Sequence, residues 1–324
     1  MLSIEFLHWS KIVPGGNKMH KRFSLLAAIY LGAAMFLGAQ TAIPQQEQTS
    51  ESPSALERAT QAPTEFDIYC AGFFTRRNVE SGLFVLGGEE GVLKNEFADR
   101  DYIYLSSGRK LINAPGGQYM LIRALKDYNV GETFPGQHAL VAKLGTLYTE
   151  VARIEVQILN EGSATARITH ACEPVIAGDI AIPLVTRPAP PYKAVKFTDR
   201  FAPSSGKATG TIAAVKDFQA VAGPGHVVYF NIGRKQGAEV GNYLRVYRTY
   251  MSQRNDKVLA STRNYMTQMM GISEGHKLTR EEMESVPRAV LGEVMILSVE
   301  DDSAVGIITY SLEDIYPGDG VELE

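Results

Sequence analysis

Two stretches of the chain carry the same motifs in the same order, and this similarity limits the folds that the chain can adopt. Residues 102–105, "YIYL", lead to "GRK" at 108–110. Residues 227–230, "VVYF", lead to the same tripeptide at 233–235, which is 125 positions later. In both places a glycine turn and a run rich in aromatic and β-branched residues follow.

A second block of similarity follows the first. Residues 152–184 align without a gap with residues 292–324, at an offset of 140. Matching pairs include Ser163-Ala164 with Ser303-Ala304 and Gly178-Asp179 with Gly318-Asp319. Because both blocks recur in the same order, the sequence predicts an internal duplication.

The local patterns in both blocks are typical of strands and tight turns. "EVMILSV", "EDDS" and "AVGIITY" indicate a β-hairpin, and "RIEVQIL", "NEGS" and "ATARITH" repeat it. The glycine of each Gly-Asp pair stands where a turn needs positive φ. We therefore predict an all-β protein with two tandem small β-barrel domains, an N-terminal signal helix and one further short helix.

The first 42 residues have the pattern of an export signal. Lys18, Lys21 and Arg22 precede an uncharged apolar run at 23–39, which is shorter than the roughly 20 residues that span a bilayer. We expect a signal peptide at 1–42, with Met19 as an alternative start of translation. The other interpretation is an uncleaved anchor, and only that one would place the protein at a membrane.

Composition sets the remaining boundaries. Residues 43–66 are rich in Gln, Ser, Thr and Pro, which predicts a disordered tether. A proline-rich linker at 186–206 separates a first barrel at 67–185 from a second barrel at 207–324.

The second barrel has an insert at 249–290 that the first lacks. In it, Thr279 and Glu282 form a possible capping box, and Pro287 ends a short helix. Five of the ten methionines lie in this insert. A methionine-rich surface suits adaptable contact with a partner, and a simple cover over the barrel is the alternative.

Composition and charge exclude some functions. Hydrophobic residues make up 45% and charged residues 21% of the 324 residues, as in ordinary folded domains, which argues against a polytopic membrane protein. The formal net charge of -4 lacks the basic excess that binding to a phosphate backbone needs. We therefore expect no nucleic-acid partner.

Cys70 and Cys172 are the two cysteines of the chain. An exported protein meets an oxidising compartment, which favours their pairing. We predict a disulfide between them.

The two basic turns supply the candidate binding residues, Arg109 and Lys110 in the first unit and Arg234 and Lys235 in the second. Arginine suits bidentate contact with carboxylates, so the turns would clamp an acidic polymer or a partner's acidic groups. The alternative is a pair of solvated turns in which glycine takes positive φ.

No other motif predicts a catalytic, cofactor or metal site. "SSGKATG" at 204–210 lacks two of the residues that define a phosphate-binding loop. His138, His170, His226 and His276 lack ligand spacing, and the acidic pair Asp301-Asp302 has no counterpart in the first unit. We therefore expect no cofactor and no metal.

A family resemblance rests on the second unit. "GRKQGAEVGN", "YLRVYR" and "LGEVMILSVEDDSAVGIITYSLEDIYPGDGVEL" resemble the C-terminal domain of the bacterial flagellar assembly protein T family. Similar repeats occur in bacterial envelope proteins that carry a LysM peptidoglycan-binding module. The resemblance covers residues 209–324 and, more weakly, 82–184. It implies an envelope setting and a non-catalytic domain.

These observations together predict a non-enzymatic binding and assembly protein of the cell envelope, periplasmic or secreted. Its expected partner is an envelope protein or a cell-wall polymer. The alternative is a periplasmic hydrolase whose catalytic groups meet only in the fold. Ionisable groups with strongly shifted pKa values in one cleft would favour the hydrolase.

Overall fold

Two β-sheets dominate the computed structural model, which describes residues 62–79, 82–125, 131–194, 199–271, 276 and 278–324. The predicted signal peptide and residues 43–61 of the predicted tether lie outside these residues. The described part is mostly β with few helices, as expected.

The first sheet has seven strands. They are β1 Phe73–Thr75, β2 Val85–Gly88, β3 Tyr102–Ser106, β4 Gln118–Leu125, β5 Thr146–Leu159, β6 Ser163–Ala171 and β7 Ile180–Pro183. Six of them follow the order β2-β3-β6-β5-β4-β7, and β1 pairs with β5.

The second sheet is a closed barrel of six strands. They are β8 Thr209–Val215, β9 Val227–Phe230, β10 Tyr243–Arg248, β11 Ala289–Val299, β12 Ala304–Ser311 and β13 Gly320–Leu323. The order β8-β9-β12-β11-β10-β13 closes because β13 also pairs with β8.

Both sheets connect their strands in the same order, but only the second closes. In the barrel, three residues of β13 pair with three residues of β8. In the first sheet β2 begins at Val85, and among the described residues its edge meets β7 through a single bridge, between Phe84 and Ile180. The prediction of two barrels is therefore confirmed for the second sheet and corrected for the first, which is an open sheet.

An ion pair stands at the equivalent place in each sheet. Arg123 on β4 donates to both carboxylate oxygens of Asp179, before β7, at 2.7 and 2.8 Å. Arg248 on β10 donates in the same way to Asp319, before β13, at 2.7 Å twice. Burial opposes the charge on Arg248, but the hydrogen bonds to Asp319 raise its pKa. Each pair fixes the turn that leads into the last strand of its sheet.

Inward-facing side chains of alternate residues build one hydrophobic core in each sheet. The first core includes Ile103, Leu105, Leu121 and Ile154, and the second includes Phe230, Leu244, Val294 and Ile308.

Five helices occur in the described part of the chain. They are α1 Glu65–Tyr69, α2 Gln137–Leu144, α3 Tyr250–Asn255, α4 Lys257–Met270 and α5 Arg280–Ser285, and single 3-10 turns cover Gly108–Lys110, Lys216–Phe218 and Arg234–Gln236. α1 begins inside the predicted tether, because Thr64 and Asp67 form a capping box. None of the described helices is long and apolar enough to cross a membrane.

The insert holds three helices where one was expected. The predicted capping box starts α5: the Thr279 N–H donates to Glu282 at 2.7 Å, and the Glu282 N–H donates to Thr279 at 3.3 Å. This helix ends at Ser285, before Pro287. α4 was not predicted, and none of its residues is buried.

The predicted proline-rich linker is fixed by contacts. Arg187 donates to the Ile68 carbonyl at 2.8 Å and forms an ion pair with the buried Glu150. Burial raises the pKa of the Glu150 carboxyl, and the Arg187 guanidinium opposes this shift. Lys193 pairs with Glu293 at 3.2 Å. Both sheets and the segment between them belong to one compact unit.

Cys70 and Cys172 form the predicted disulfide, with their Cα atoms 5.5 Å apart. The bond attaches the end of α1 to the residue that follows β6, and it spans 102 positions of sequence. Such a bond indicates an oxidising, non-cytoplasmic environment.

Replacing both cysteines by serine should lower the free energy of unfolding by up to about 4 to 5 kcal/mol, the chain-entropy value for a loop of roughly 100 residues. Urea unfolding followed by circular dichroism measures the loss. Proteolysis at residues 71–77 should also become faster, because the bond holds the start of this segment. A loss below about 1 kcal/mol would mean that other contacts already hold it.

Candidate functional site

Both "GRK" turns pack against the hairpin turn that follows the longest strand of their sheet. A Cβ at Gly108 would stand 2.3 Å from the Ser163 carbonyl oxygen, and one at Gly233 would stand 2.6 Å from the Asp301 carbonyl oxygen. Positive φ occurs at Gly108, at 39°, and not at Gly233, at -128°. Close approach of two backbone segments is therefore the requirement that both turns share.

Aspartates of the neighbouring hairpin form ion pairs with the second turn. The ion pairs are Arg234–Asp301 at 2.8 Å, Lys235–Asp302 at 3.0 Å, Arg77–Asp301 at 3.0 Å and Arg76–Asp302 at 3.3 Å. The hydrogen bond from Arg77 lowers the pKa of Asp301. We call these six residues the ion cluster. Arg234 and Lys235 therefore form ion pairs within the protein. A free basic clamp was one interpretation of this turn from the sequence.

The first turn differs. Arg109 and Lys110 are exposed, and Glu161 and Gly162 stand where the second unit has its two aspartates. Among the described residues, neither cation takes part in an ion pair. The first turn therefore keeps both of its charges available to a partner.

The outer face of the second barrel is buried. We call it the covered face, and its side chains are Ala213, Val227, Tyr229, Met295, Leu297, Val305 and Ile307. Each of them is at most 8% exposed. They pack against Ala71 and Phe74, around the start of β1, and against Val141 and Leu144 of α2. An element of the first sheet thus covers the second.

Hydrogen bonds hold this cover in place. The Tyr229 hydroxyl donates to the Ala71 carbonyl at 2.7 Å, and its ring meets the Phe74 ring edge-on, with the centroids 5.4 Å apart. The Ser303 hydroxyl donates to the Phe74 carbonyl at 3.1 Å. Burial raises the pKa of Tyr229, so the phenol remains a neutral donor.

The equivalent face of the first sheet is exposed. Tyr104 on β3 lies opposite Thr165 on β6, as Tyr229 on β9 lies opposite Val305 on β12. The two tyrosines therefore occupy the same position in their sheets. Tyr104 is 39% exposed, whereas Tyr229 is 3% exposed.

We call this surface the open face and define it by Leu86, Tyr102, Tyr104, Thr165 and Arg167. Leu86 is 51% and Tyr102 is 41% exposed. A surface that combines tyrosine, leucine and arginine has the composition of protein interfaces. The open face is the candidate functional site.

A recess of about 410 Å³ borders the open face at Leu86. Lys94 and Phe97 contribute to its lining. Val92 and Leu93, in the loop beside it, are almost fully exposed. The loop extends the apolar surface beyond the sheet.

Two features that the sequence analysis did not count as sites form no site in the described part of the structure either. His170, Cys70 and Cys172 place ligand atoms within 4.8 Å of one another, but both sulfurs belong to the disulfide and offer no thiolate. In "SSGKATG", the Ser204 hydroxyl donates to the buried Glu322 at 3.1 Å, which ties this segment to β13.

A sequence signal for the covered face lies in β11. Residues 294–297 read Val-Met-Ile-Leu, a continuous apolar run that is typical of a strand buried on both faces. The aligned residues 154–157 read Ile-Glu-Val-Gln, the alternation of a strand with one polar face. The motifs that the two units share do not reveal this difference. Arg76 and Arg77 were also missed, because no local pattern links them to Asp301 and Asp302.

The sequence matches no protein-family model, and no curated protein shows a significant similarity to it.

Replacing Gly233 by alanine should lower the free energy of unfolding by about 1 to 3 kcal/mol, since the new Cβ would meet backbone atoms that cannot move aside freely. Gly108→Ala should cost at least as much, because its backbone is also in the left-handed region. Gly223→Ala is the matched control, with no atom within 4 Å of the added Cβ. Chemical denaturation of the three variants measures the effect. Equal stability of all three would contradict a packing role for the two turns.

Proposed function

We propose that the protein is an exported, non-enzymatic binding and assembly protein of the bacterial cell envelope, periplasmic or secreted. It attaches to an envelope protein or a cell-wall polymer. The open face is the main attachment surface, and the first basic turn adds an electrostatic contribution.

The observation that carries this proposal is the unequal burial of two equivalent faces. The covered face gains its stability from apolar side chains packed beneath β1 and α2. The open face keeps an aromatic residue at the same position but has no such cover among the described residues. Exposed apolar surface of this kind costs solubility unless a partner uses it.

Export is supported by the disulfide and by the expected signal at the N-terminus. A bond between Cys70 and Cys172 persists in oxidising compartments. The charged and apolar segments before residue 42 have the order of a secretory signal. A periplasmic or secreted location is consistent with both.

The identical strand order and the matched ion pairs support descent of the two sheets from one duplicated unit. The resemblance of the second unit to the flagellar assembly protein T domain and to repeats of LysM-type envelope proteins favours the envelope as its setting. Assembly proteins bind through surfaces rather than deep clefts, which fits the exposed tyrosines.

Replacing Tyr102 and Tyr104 together by alanine should weaken retention on envelope material at least tenfold, because buried aromatic anchors dominate interface energies. Co-sedimentation with purified cell wall and pull-down from envelope extracts measure retention. The matched control is Phe201→Ala, an exposed aromatic residue outside the open face. Full retention of the double variant would contradict the proposal. Hydrolytic turnover that a point mutation abolishes would establish the hydrolase instead.

Arg109→Ala should weaken binding to an acidic envelope component and flatten its dependence on salt, because exposed charges act through screened attraction. Arg234→Ala should have the smaller effect, since an ion pair with Asp301 already holds the Arg234 side chain. Both variants should lose less than about 1 kcal/mol of stability. Binding measured from low to high salt separates them. Equal salt slopes for both variants and the wild type would remove the first turn from the binding site.

A further inference from the structure

We propose that the open face receives helix α4 from a second copy of the chain, so that copies assemble head to tail. This inference rests on the proposed function, because it names the partner of the same surface. It follows from how the first sheet already covers the second.

The connection between β4 and β5 of the first sheet supplies part of the cover. This connection joins β4 to β5 and contains α2. Val141 and Leu144 of α2 pack on the covered face, and the Gln137 side chain donates to the Ala213 carbonyl at 2.9 Å. The connecting helix of one repeat thus lies on the outer face of the next.

The same connection in the second repeat joins β10 to β11 and contains α3, α4 and α5. Among the described residues, these helices do not cover a sheet face in the way that α2 covers the second barrel. α4 is the longest of them, and none of its residues is buried.

An apolar stripe runs along α4. Tyr265, Met266, Met269 and Met270 are between 43% and 67% exposed. Their spacing of one, four and five residues puts all four on one side of the helix. We call them the α4 stripe. Methionine adapts its shape to a partner and packs well against aromatic rings, which Tyr102 and Tyr104 provide on the open face.

The start of α4 is firmly held. The Asp256 carboxylate accepts the Leu259 N–H at 2.9 Å, and the Lys257 N–H donates to the Thr133 carbonyl at 2.8 Å. Thr133 lies in the connection that contains α2. The helix is therefore anchored to the body of the protein at one end, which favours binding because less freedom is lost on docking.

The stripe and the open face are different surfaces of one chain. A contact between them is therefore heterologous, and each copy keeps one free stripe or one free face for the next. Repeating this contact produces a ring if the rotation closes and a filament if it does not. A second copy is thus the occupant that continues the arrangement already present within the chain.

Two variants test the contact, Tyr102→Glu with Tyr104→Glu for the face and Met266→Glu with Met269→Glu for the stripe. Analytical ultracentrifugation over a range of concentrations should show the wild type growing beyond a dimer and each variant at least tenfold weaker in self-association. An equimolar mixture of the two variants should form a heterodimer and stop there, because only one intact face and one intact stripe can meet. Asn264→Glu, an exposed position on the other side of α4, is the control and should assemble like the wild type.

A monomeric wild type at every concentration would overturn the inference, as would a stripe variant that assembles normally. Circular dichroism of each variant shows whether it remains folded. Envelope co-sedimentation of the same proteins separates the two proposals. If the wild type is monomeric but still binds envelope material through its open face, the proposed function is supported and the head-to-tail contact is contradicted. If the wild type assembles but does not bind envelope material, the head-to-tail contact is supported and the proposed function is contradicted.

Discussion

Burial of the covered face beneath β1 and α2 is the interaction on which the arrangement of the two sheets depends. β1 is a strand of the first sheet through its pairing with β5, and its neighbour Ala71 accepts a hydrogen bond from Tyr229 of the second. Each large apolar side chain fully buried there contributes about 1.5 to 3 kcal/mol. The disulfide at Cys70 holds the start of this segment, so a redox-dependent bond supports the interface between the sheets.

The outer faces of the two similar sheets are covered unequally, so the two sheets present different surfaces to solvent. The first sheet presents the exposed Tyr102 and Tyr104, while the insert of the second sheet presents a helix with an exposed apolar stripe. The charged groups follow the same division. Arg234 forms an ion pair within the ion cluster, whereas Arg109 takes part in no ion pair among the described residues. Side chains that are buried or paired within the second sheet therefore have exposed counterparts in the first.

The sequence predicts the two hairpins, because runs of β-branched residues around polar turns are local signals. It also predicts the disulfide and the capping box of α5. The sequence could not show that the first sheet stays open. This depends on how many residues at the start of β2 pair with β7. The cover over Tyr229 could not be predicted either, because it brings together Ala71 and a strand 158 positions away. Only the apolar run at 294–297 indicated that a second face of β11 is buried.

The claim that the open face is an interaction surface is tested most directly by hydroxyl-radical footprinting with mass spectrometry. The dilute purified protein and the same protein in its native envelope are compared. The account predicts that Tyr102 and Tyr104 react readily in the dilute protein and become protected in the envelope, while Tyr229 is protected in both. Unchanged reactivity of Tyr102 and Tyr104 in the envelope would contradict it.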